Sequence, residues 1–306
     1  MNQANEINIV TGATGYTGKY ITRRLLKMGK RVRSLTNHLH RENPFGNQIE
    51  LYPYNFDNPK ALVESLKGAT TLYNTYWVRF SYGKTTFDLA VENTKKLLEA
   101  AKTAGVQRIV HVSIANPNEH SDLPYYKGKA LLEKAVIESG LHYVILRPTV
   151  IFGPEDILIN NIAWLLRTFP AFMVAGSGEY GIQPIFVEDM VELAVTAVAQ
   201  DKNIIMDAVG PEKFTFNEFV RLIAGKIKSK SKIMHVPPRL ALLLGQLIGY
   251  FLKDVVLTEE EVKGLLENLL VSAQPPTGKT LFTDWLAKNT EILGTQYHSE
   301  LKRHFK

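Results

Sequence analysis

Tyr125 and Lys129 stand four residues apart in Pro124-Tyr125-Tyr126-Lys127-Gly128-Lys129. On a helix that spacing puts both side chains on one face. An ammonium beside a phenol stabilises the phenolate and lowers its pKa towards working pH, so the tyrosine becomes usable as a general acid or base. Tyr-x-x-x-Lys is by itself a common surface spacing. Its place in the chain gives it weight, because it follows a run ending in Val112-Ser113, where the Ser113 hydroxyl could polarise a substrate carbonyl.

The second constellation is Thr11-Gly12-Ala13-Thr14-Gly15-Tyr16-Thr17-Gly18, directly after an apolar run. The glycines allow a tight turn, close backbone approach to a pyrophosphate and packing of the next helix on the strand. The helix N-terminus then offers amides and partial positive charge to phosphate. This predicts a dinucleotide held by Gly12, Gly15 and Gly18 with Thr14, Tyr16 and Thr17 in the turn, and Lys129 in reach of the nicotinamide ribose. An NAD-selective site usually carries a carboxylate at the tip of the second strand. Here Thr36 and Asn37 stand there, in Leu35-Thr36-Asn37-His38, with Arg33 and Arg41 nearby. The cofactor is therefore expected to be NADP or NAD, with NADP slightly favoured. Gly278-Lys279-Thr280 is not read as a phosphate loop, since Ala273 replaces the first glycine and Pro275 and Pro276 oppose the geometry.

These groups need a scaffold. Short β-branched runs at Ile7 to Val10, Arg31 to Leu35, Ile49 to Tyr52, Thr70 to Tyr73, Arg108 to Val112 and Tyr143 to Leu146 alternate with helical stretches at Gly15 to Met28, Pro59 to Leu66, Thr85 to Ala104 and Tyr125 to Ser139. That alternation predicts an α/β fold with a doubly wound parallel sheet. Gly29, Gly68, Gly105 and Gly140 fall where helix C-termini take a left-handed residue. After Pro148 helices are expected near Ile157 to Thr168, Val187 to Ala199 and Phe216 to Lys228, with short strands near Phe172 and Ile204. The division is a nucleotide-binding domain over 1–150, then a smaller, mostly helical substrate lobe over 151–306 interleaved with the main sheet.

The tail contains Leu240 to Leu252, LALLLGQLIGYFL, apolar but short of the roughly 20 residues a bilayer crossing needs. It is read as a buried or dimer-forming helix, or as a peripheral membrane contact flanked by Arg239 and Lys253. Thr258 and Glu261 have the spacing of a capping box. Across 306 residues the net charge is +6 and cysteine is absent, which rules out disulfides and thiolate chemistry. The lysine run at 226, 228, 230 and 232 has no nucleic-acid motif beside it, and no nucleic-acid partner is expected. Neither His38, His40 nor His111 has ligand-spaced companions, so no metal is expected. Met1 to Val10 lacks the pattern of a secretory signal, and cytoplasmic residence is the expectation.

Taken together, TGATGYTG, Tyr125 with Lys129, Leu146-Arg147-Pro148-Thr149-Val150-Ile151-Phe152-Gly153-Pro154 and Gln183-Pro184-Ile185-Phe186-Val187-Glu188-Asp189 resemble the short-chain dehydrogenase/reductase superfamily, in its atypical or extended, NmrA-like and epimerase-like branches. The resemblance implies a Rossmann fold, Pro148 and Val150 against the nicotinamide, Asn55, Phe56 and Asp57 bordering the adenine, and Asn74 among the cofactor contacts. It implies hydride transfer on a carbonyl or hydroxyl of a small molecule, a nucleotide sugar included, with Tyr125, Lys129 and Ser113 as the catalytic residues. Two features depart from the pattern. Ile114 follows Ser113 where many relatives have a second hydroxyl, and the fourth strand ends in Tyr73-Asn74-Thr75-Tyr76-Trp77 where small residues are usual. These aromatics either narrow the substrate pocket or pack beneath a loop. Asp156, Asn160, Asn161, Trp164 and Gln183 fall in the part resembling a substrate lobe and are candidates to bind a polar ligand. His111-Val112-Ser113-Ile114 is also similar to the dehydrogenase-like accessory subunit of respiratory complex I, so the alternative is a non-catalytic NAD(P)-binding sensor or assembly protein.

Overall fold

The structure is a computed structural model describing residues 6–200 and 202–305. The chain forms two compact units. The first runs to Pro148 and takes back Met190–Asp207; the second is Thr149–Asp189 with Ala208 onward.

The first unit alternates β1 (Ile7–Thr11), α1 (Tyr16–Lys27), β2 (Arg31–Leu35), β3 (Ile49–Tyr52), α2 (Pro59–Leu66), β4 (Ala69–Asn74), α3 (Phe87–Thr103), β5 (Arg108–Val112), α4 (Pro124–Glu138) and β6 (His142–Pro148). These six strands are parallel, in the order β6-β5-β4-β1-β2-β3. The near-continuous apolar character of β1 follows from burial on both faces, since all five of its residues are inside. The glycines at 29, 68, 105 and 140 all have positive φ, so each ends its helix as expected. Ile9, Leu35, Leu62, Leu66, Leu72, Leu97, Ile109, Val136 and Ile145 form the core beneath α2, α3 and α4.

Strand order reverses between β1 and β4, and in open α/β sheets such a switch point is where ligands bind, outside the carboxyl ends of the strands. The glycine turn, Asn74-Thr75 and Ser113 all lie at carboxyl ends of strands in this unit.

In the second unit, β7 (Val150–Phe152), α5 (Leu158–Thr168), β8 (Ala171–Ala175), β9 (Gly181–Ile182) and β10 (Pro184–Phe186) lead into α6 (Val187–Thr196), most of which belongs to the first unit. There Arg24 of α1 pairs with Glu192 of α6 at 2.8 Å. A seventh strand, β11 (Ile204–Ala208), then joins the main sheet beside β6. The chain finishes in the second unit with β12 (Phe214–Thr215), α7 (Phe216–Lys226), β13 (Lys232–Val236), α8 (Pro238–Leu252), α9 (Glu259–Leu266), α10 (Phe282–Asn289) and α11 (Glu300–His304). Three two-stranded pairs, β7 with β10, β9 with β12 and β8 with β13, brace a helical core of Phe152, Ile162, Leu166, Phe219, Ile223, Phe282 and Leu286. The capping box of Thr258 and Glu261 opens α9 as its spacing implied.

Candidate functional site

The turn after β1 has a shape only glycine permits at position 18. A Cβ there would sit 2.2 Å from the Gly12 carbonyl oxygen and 3.0 Å from that of Thr11. Gly12 itself has φ of +66°, a conformation that penalises any side chain. Helix α1 opens at Gly15 with no side-chain cap and no acid in its first turn. The positive end of the helix is thus left without a local anion, which is what a phosphate site requires. Thr75 holds the turn against β4: its amide donates to Thr11 Oγ1 at 2.7 Å and its hydroxyl to the Thr11 carbonyl at 2.5 Å. The residues therefore fit a bound dinucleotide diphosphate.

Around this turn the expected cofactor contacts occupy distinct environments. Thr36 is buried, and its hydroxyl accepts from the His38 amide at 3.0 Å; Asn37 is exposed. Asn55 has φ of +50° in the turn that leads to Asn58, whose side chain caps α2 on the Ala61 amide. Phe56 stacks on Tyr54 at 4.8 Å and leans on Tyr76 at 5.3 Å, while Asp57 is exposed. Asn74 is wholly buried; its Oδ1 accepts from the Tyr76 amide and its Nδ2 meets His111 Nδ1 at 3.0 Å. Burial, with Lys129 nearby, pushes His111 down to about 3, so the ring is neutral and belongs to the core. Pro148 closes β6, and its carbonyl accepts from the Ala115 amide at 2.8 Å. Val150 begins β7 in the second unit. Arg33, one of the two arginines read as companions for a 2′-phosphate, is committed elsewhere. It pairs with Glu50 at 3.1 Å and donates to the Lys67 carbonyl at 2.8 Å.

The helix α4 starts at Pro124 and carries Tyr125 and Lys129 one turn apart. Lys129 is only 3% exposed. Its ammonium donates to the Val112 carbonyl at 2.9 Å and lies 4.7 Å from the centre of the Trp77 ring. Burial pushes this lysine down to about 7, against the opposing pull of Glu133. Tyr125 packs edge-on against the same Trp77 at 5.7 Å and against Phe87 at 5.8 Å. Trp77 fits because residue 128 is glycine: a Cβ there would come 2.7 Å from the tryptophan ring. The aromatic segment that follows β4 thus lies over the tyrosine and lysine of α4, and Trp77, stacked on Phe87, bridges them.

Ser113 is buried, and its hydroxyl donates to Glu133 at 2.5 Å. Glu133 also receives Arg147 of β6 in a forked contact, Nε at 3.0 Å and Nη2 at 2.6 Å. Reading the sequence missed Glu133 and Arg147. The signal was there, since Tyr125, Lys129 and Glu133 continue the four-residue spacing along one helix face. A buried carboxylate needs such partners, and Ser113 and Arg147 supply them.

Four of the polar residues singled out in the second half are spent on local backbone. Asn160 donates to the Gln296 carbonyl and accepts from Gly294, Asn161 does both with His298, and Gln183 donates to the Gly210 carbonyl and accepts from Ser272. Asp156 caps the Ile159 amide at 3.0 Å, and burial raises it to about 7. Asn160 and Asn161 tie the chain at 294–298 to α5, and Gln183 ties Gly210 to Ser272. Trp164, the fifth, packs edge-on against Tyr297 at 5.1 Å. The amides of Lys279 and Thr280 both donate to Asp189 at 2.7 Å, so a protein carboxylate occupies what the triplet would offer a phosphate.

A parallel sheet with its switch point at a glycine turn, and a helix N-terminus without a cap, define a dinucleotide-binding Rossmann protein. Residues 12–156, just under half of the chain, match the NAD(P)H-binding family. The chain is 23% identical over 299 residues to the NADH-ubiquinone oxidoreductase 40 kDa subunit of Neurospora crassa, covering 94% of this chain and 77% of that protein. It is 25% identical over 242 residues to the NADH dehydrogenase [ubiquinone] 1 alpha subcomplex subunit 9 of Arabidopsis thaliana, covering 74% of this chain but only 60% of that subunit's length. A photosystem II assembly factor of Cyanidium caldarium is 25% identical, with 79% of this chain and 78% of that protein covered. Among solved structures, triphenylmethane reductase of Citrobacter sp. superposes with a TM-score of 0.68 at 16% identity, covering 94% and 100% of the two chains. UDP-glucose 4-epimerase of Thermotoga maritima does so with 0.65 at 18%, covering 93% and 97%.

Proposed function

We propose that the chain is an NAD(P)-dependent oxidoreductase, or an epimerase using the same hydride step, in which Tyr125 exchanges a proton with the oxygen of a small carbonyl or hydroxyl substrate. The observation that carries this reading is the pairing on α4 of Tyr125 with a lysine buried enough to be pushed to about 7. When bound over the turn at Gly12, Gly15 and Gly18, NAD(P)H would supply hydride to a carbonyl carbon. Tyr125 gives its phenolic proton to the substrate oxygen as the carbon is reduced, and takes it back in the reverse direction. Lys129 stabilises the phenolate left behind, and the chemistry of its ammonium also suits a ribose hydroxyl. Ser113 has its proton on Glu133, so in this arrangement it accepts from a substrate hydroxyl and does not donate to a carbonyl oxygen, unlike the polarising role expected from the sequence. Trp77 and Phe87 pack against the half-buried Tyr125 and give that side of the site an apolar wall. Thr36 and Asn37 in place of an acid support NADP over NAD.

The test is Tyr125→Phe, followed as oxidation of NADPH over a panel of carbonyl compounds. A fall of about a hundredfold or more in kcat at unchanged NADPH affinity is expected; full turnover by the variant refutes the role. One observation favours a second reading, a protein that holds NAD(P) without turning it over: the Ser113 hydroxyl is engaged by Glu133, itself held by Arg147, and the chain is similar to an assembly factor. Tight NADPH binding with no oxidation of it by any panel member, in the unaltered protein, decides for that reading.

A further inference from the structure

Helix α8 is docked the wrong way round for a helix in water. The residues it buries are small, Ala241, Gly245 and Gly249, four apart along one face. The chain packs closely there: a Cβ on Gly249 would lie 2.6 Å from the Asp254 carbonyl oxygen, and one on Gly245 would lie 3.2 Å from the Leu257 side chain. Leu242, Leu244, Ile248 and Leu252 are half-buried, and four other bulky residues are turned outward. Leu243 is 61% exposed, Leu247 53%, Tyr250 79% and Phe251 75%. Packing a helix through glycine while leaving leucine, tyrosine and phenylalanine in solvent forfeits the apolar burial that normally docks a helix. A contiguous patch of this kind marks a face that something else covers.

We propose that α8 lies in the surface of an anionic lipid membrane, with Leu243, Leu247, Tyr250 and Phe251 in the acyl boundary. Charge selects this occupant. Residues 238–253 contain no Asp or Glu, and Arg239 and Lys253 stand exposed at the two ends. The chain entering β13 and then α8 carries exposed Lys226, Lys228, Lys230 and Lys232. Of the acids that follow, Glu259 is paired with Lys263 and Glu261 with Thr258. A second copy is a poorer occupant, because antiparallel pairing along α8 would bring Arg239 of one molecule against Lys253 of the other. At 15 residues the helix is about 22 Å long, less than the ~30 Å hydrocarbon core, so it lies in the interface plane and does not cross. Basic flanks around an apolar face with aromatics at one end are the composition of such interfacial helices.

The experiment is cosedimentation of the full chain with vesicles of phosphatidylcholine mixed with phosphatidylglycerol, and with vesicles of phosphatidylcholine alone. The unaltered protein is expected to partition onto the anionic vesicles. The triple variant Leu247→Ser, Tyr250→Ser, Phe251→Ser is expected to lose at least about tenfold of that partition while keeping its thermal stabilisation by NADPH. Should the triple variant misfold, Arg239→Gln with Lys253→Gln is expected to abolish the preference for anionic vesicles instead. Failure of the unaltered protein to bind either vesicle, or equal binding by the variants, overturns the proposal. A lipid-free dimer in sedimentation velocity that the triple variant breaks, with no vesicle binding, assigns the face to a second copy and overturns it as well.

Discussion

Replacing Lys129 by methionine separates the lysine's chemical value from its cost to the fold. The ammonium is 3% exposed and pushed from 10.5 to about 7, chiefly by burial. A tenfold weakening of proton affinity corresponds to about 1.4 kcal/mol, so keeping this group charged inside the protein costs roughly 5 kcal/mol below pH 7. The sign follows from proton counting. Between pH 7 and 10.5 the unfolded chain holds this proton and the folded one does not, so stability rises with pH across that window; above it the two states agree and the cost vanishes. From pH 7 to pH 9 the lysine's contribution to stability should rise by roughly 2 kcal/mol, or about 4–8 °C in Tm for a unit of this size. Lys129→Met removes the titrating group and keeps most of the volume under Trp77. The measurement is thermal or urea unfolding of both proteins at a series of pH values, taken as a difference so that other groups cancel. The variant should be the more stable at pH 7, with its advantage shrinking by pH 9, while its NADPH turnover is lost. Parallel pH profiles for the two proteins would refute the reasoning, because they would mean that the lysine titrates alike folded and unfolded.

Gly18→Ala places a methyl 2.2 Å from the Gly12 carbonyl oxygen, so α1 must move off the turn. NADPH affinity should fall by about tenfold or more in calorimetry, with a stability loss of roughly 1–3 kcal/mol; unchanged binding would remove the diphosphate from this turn. Asp189→Ala strips the acceptor from the Lys279 and Thr280 amides and from the Thr280 hydroxyl. A loss of roughly 2 kcal/mol in urea unfolding is expected, with NADPH affinity in calorimetry unaltered; a drop in nucleotide affinity would contradict a purely structural role for the 278–280 segment.

Local rules sufficed for much of the molecule. Strand and helix positions in the first half were legible because β-branched runs, the glycine stops at 29, 68, 105 and 140 and the turn at 12–18 are short-range signals, each decided by a residue's own backbone preferences. The tyrosine and lysine could be paired for the same reason, since helical spacing fixes which side chains share a face. What stayed hidden were contacts between residues distant along the chain. Only packing shows that Trp77 lies on Lys129, that Gly128 makes room for it, and that Glu133 gathers both Ser113 and Arg147. The same holds for Asn160, Asn161 and Gln183, whose amides look alike in a sequence whether they face a ligand or tie down a backbone, and which here tie down backbone. Hydropathy identified α8 as apolar but could not say which side faces out, because that depends on whether the glycines or the leucines meet the rest of the fold. Periodicity reports the faces an element has, and only tertiary structure assigns each face its neighbour, since burial is a property of the partner as much as of the residue.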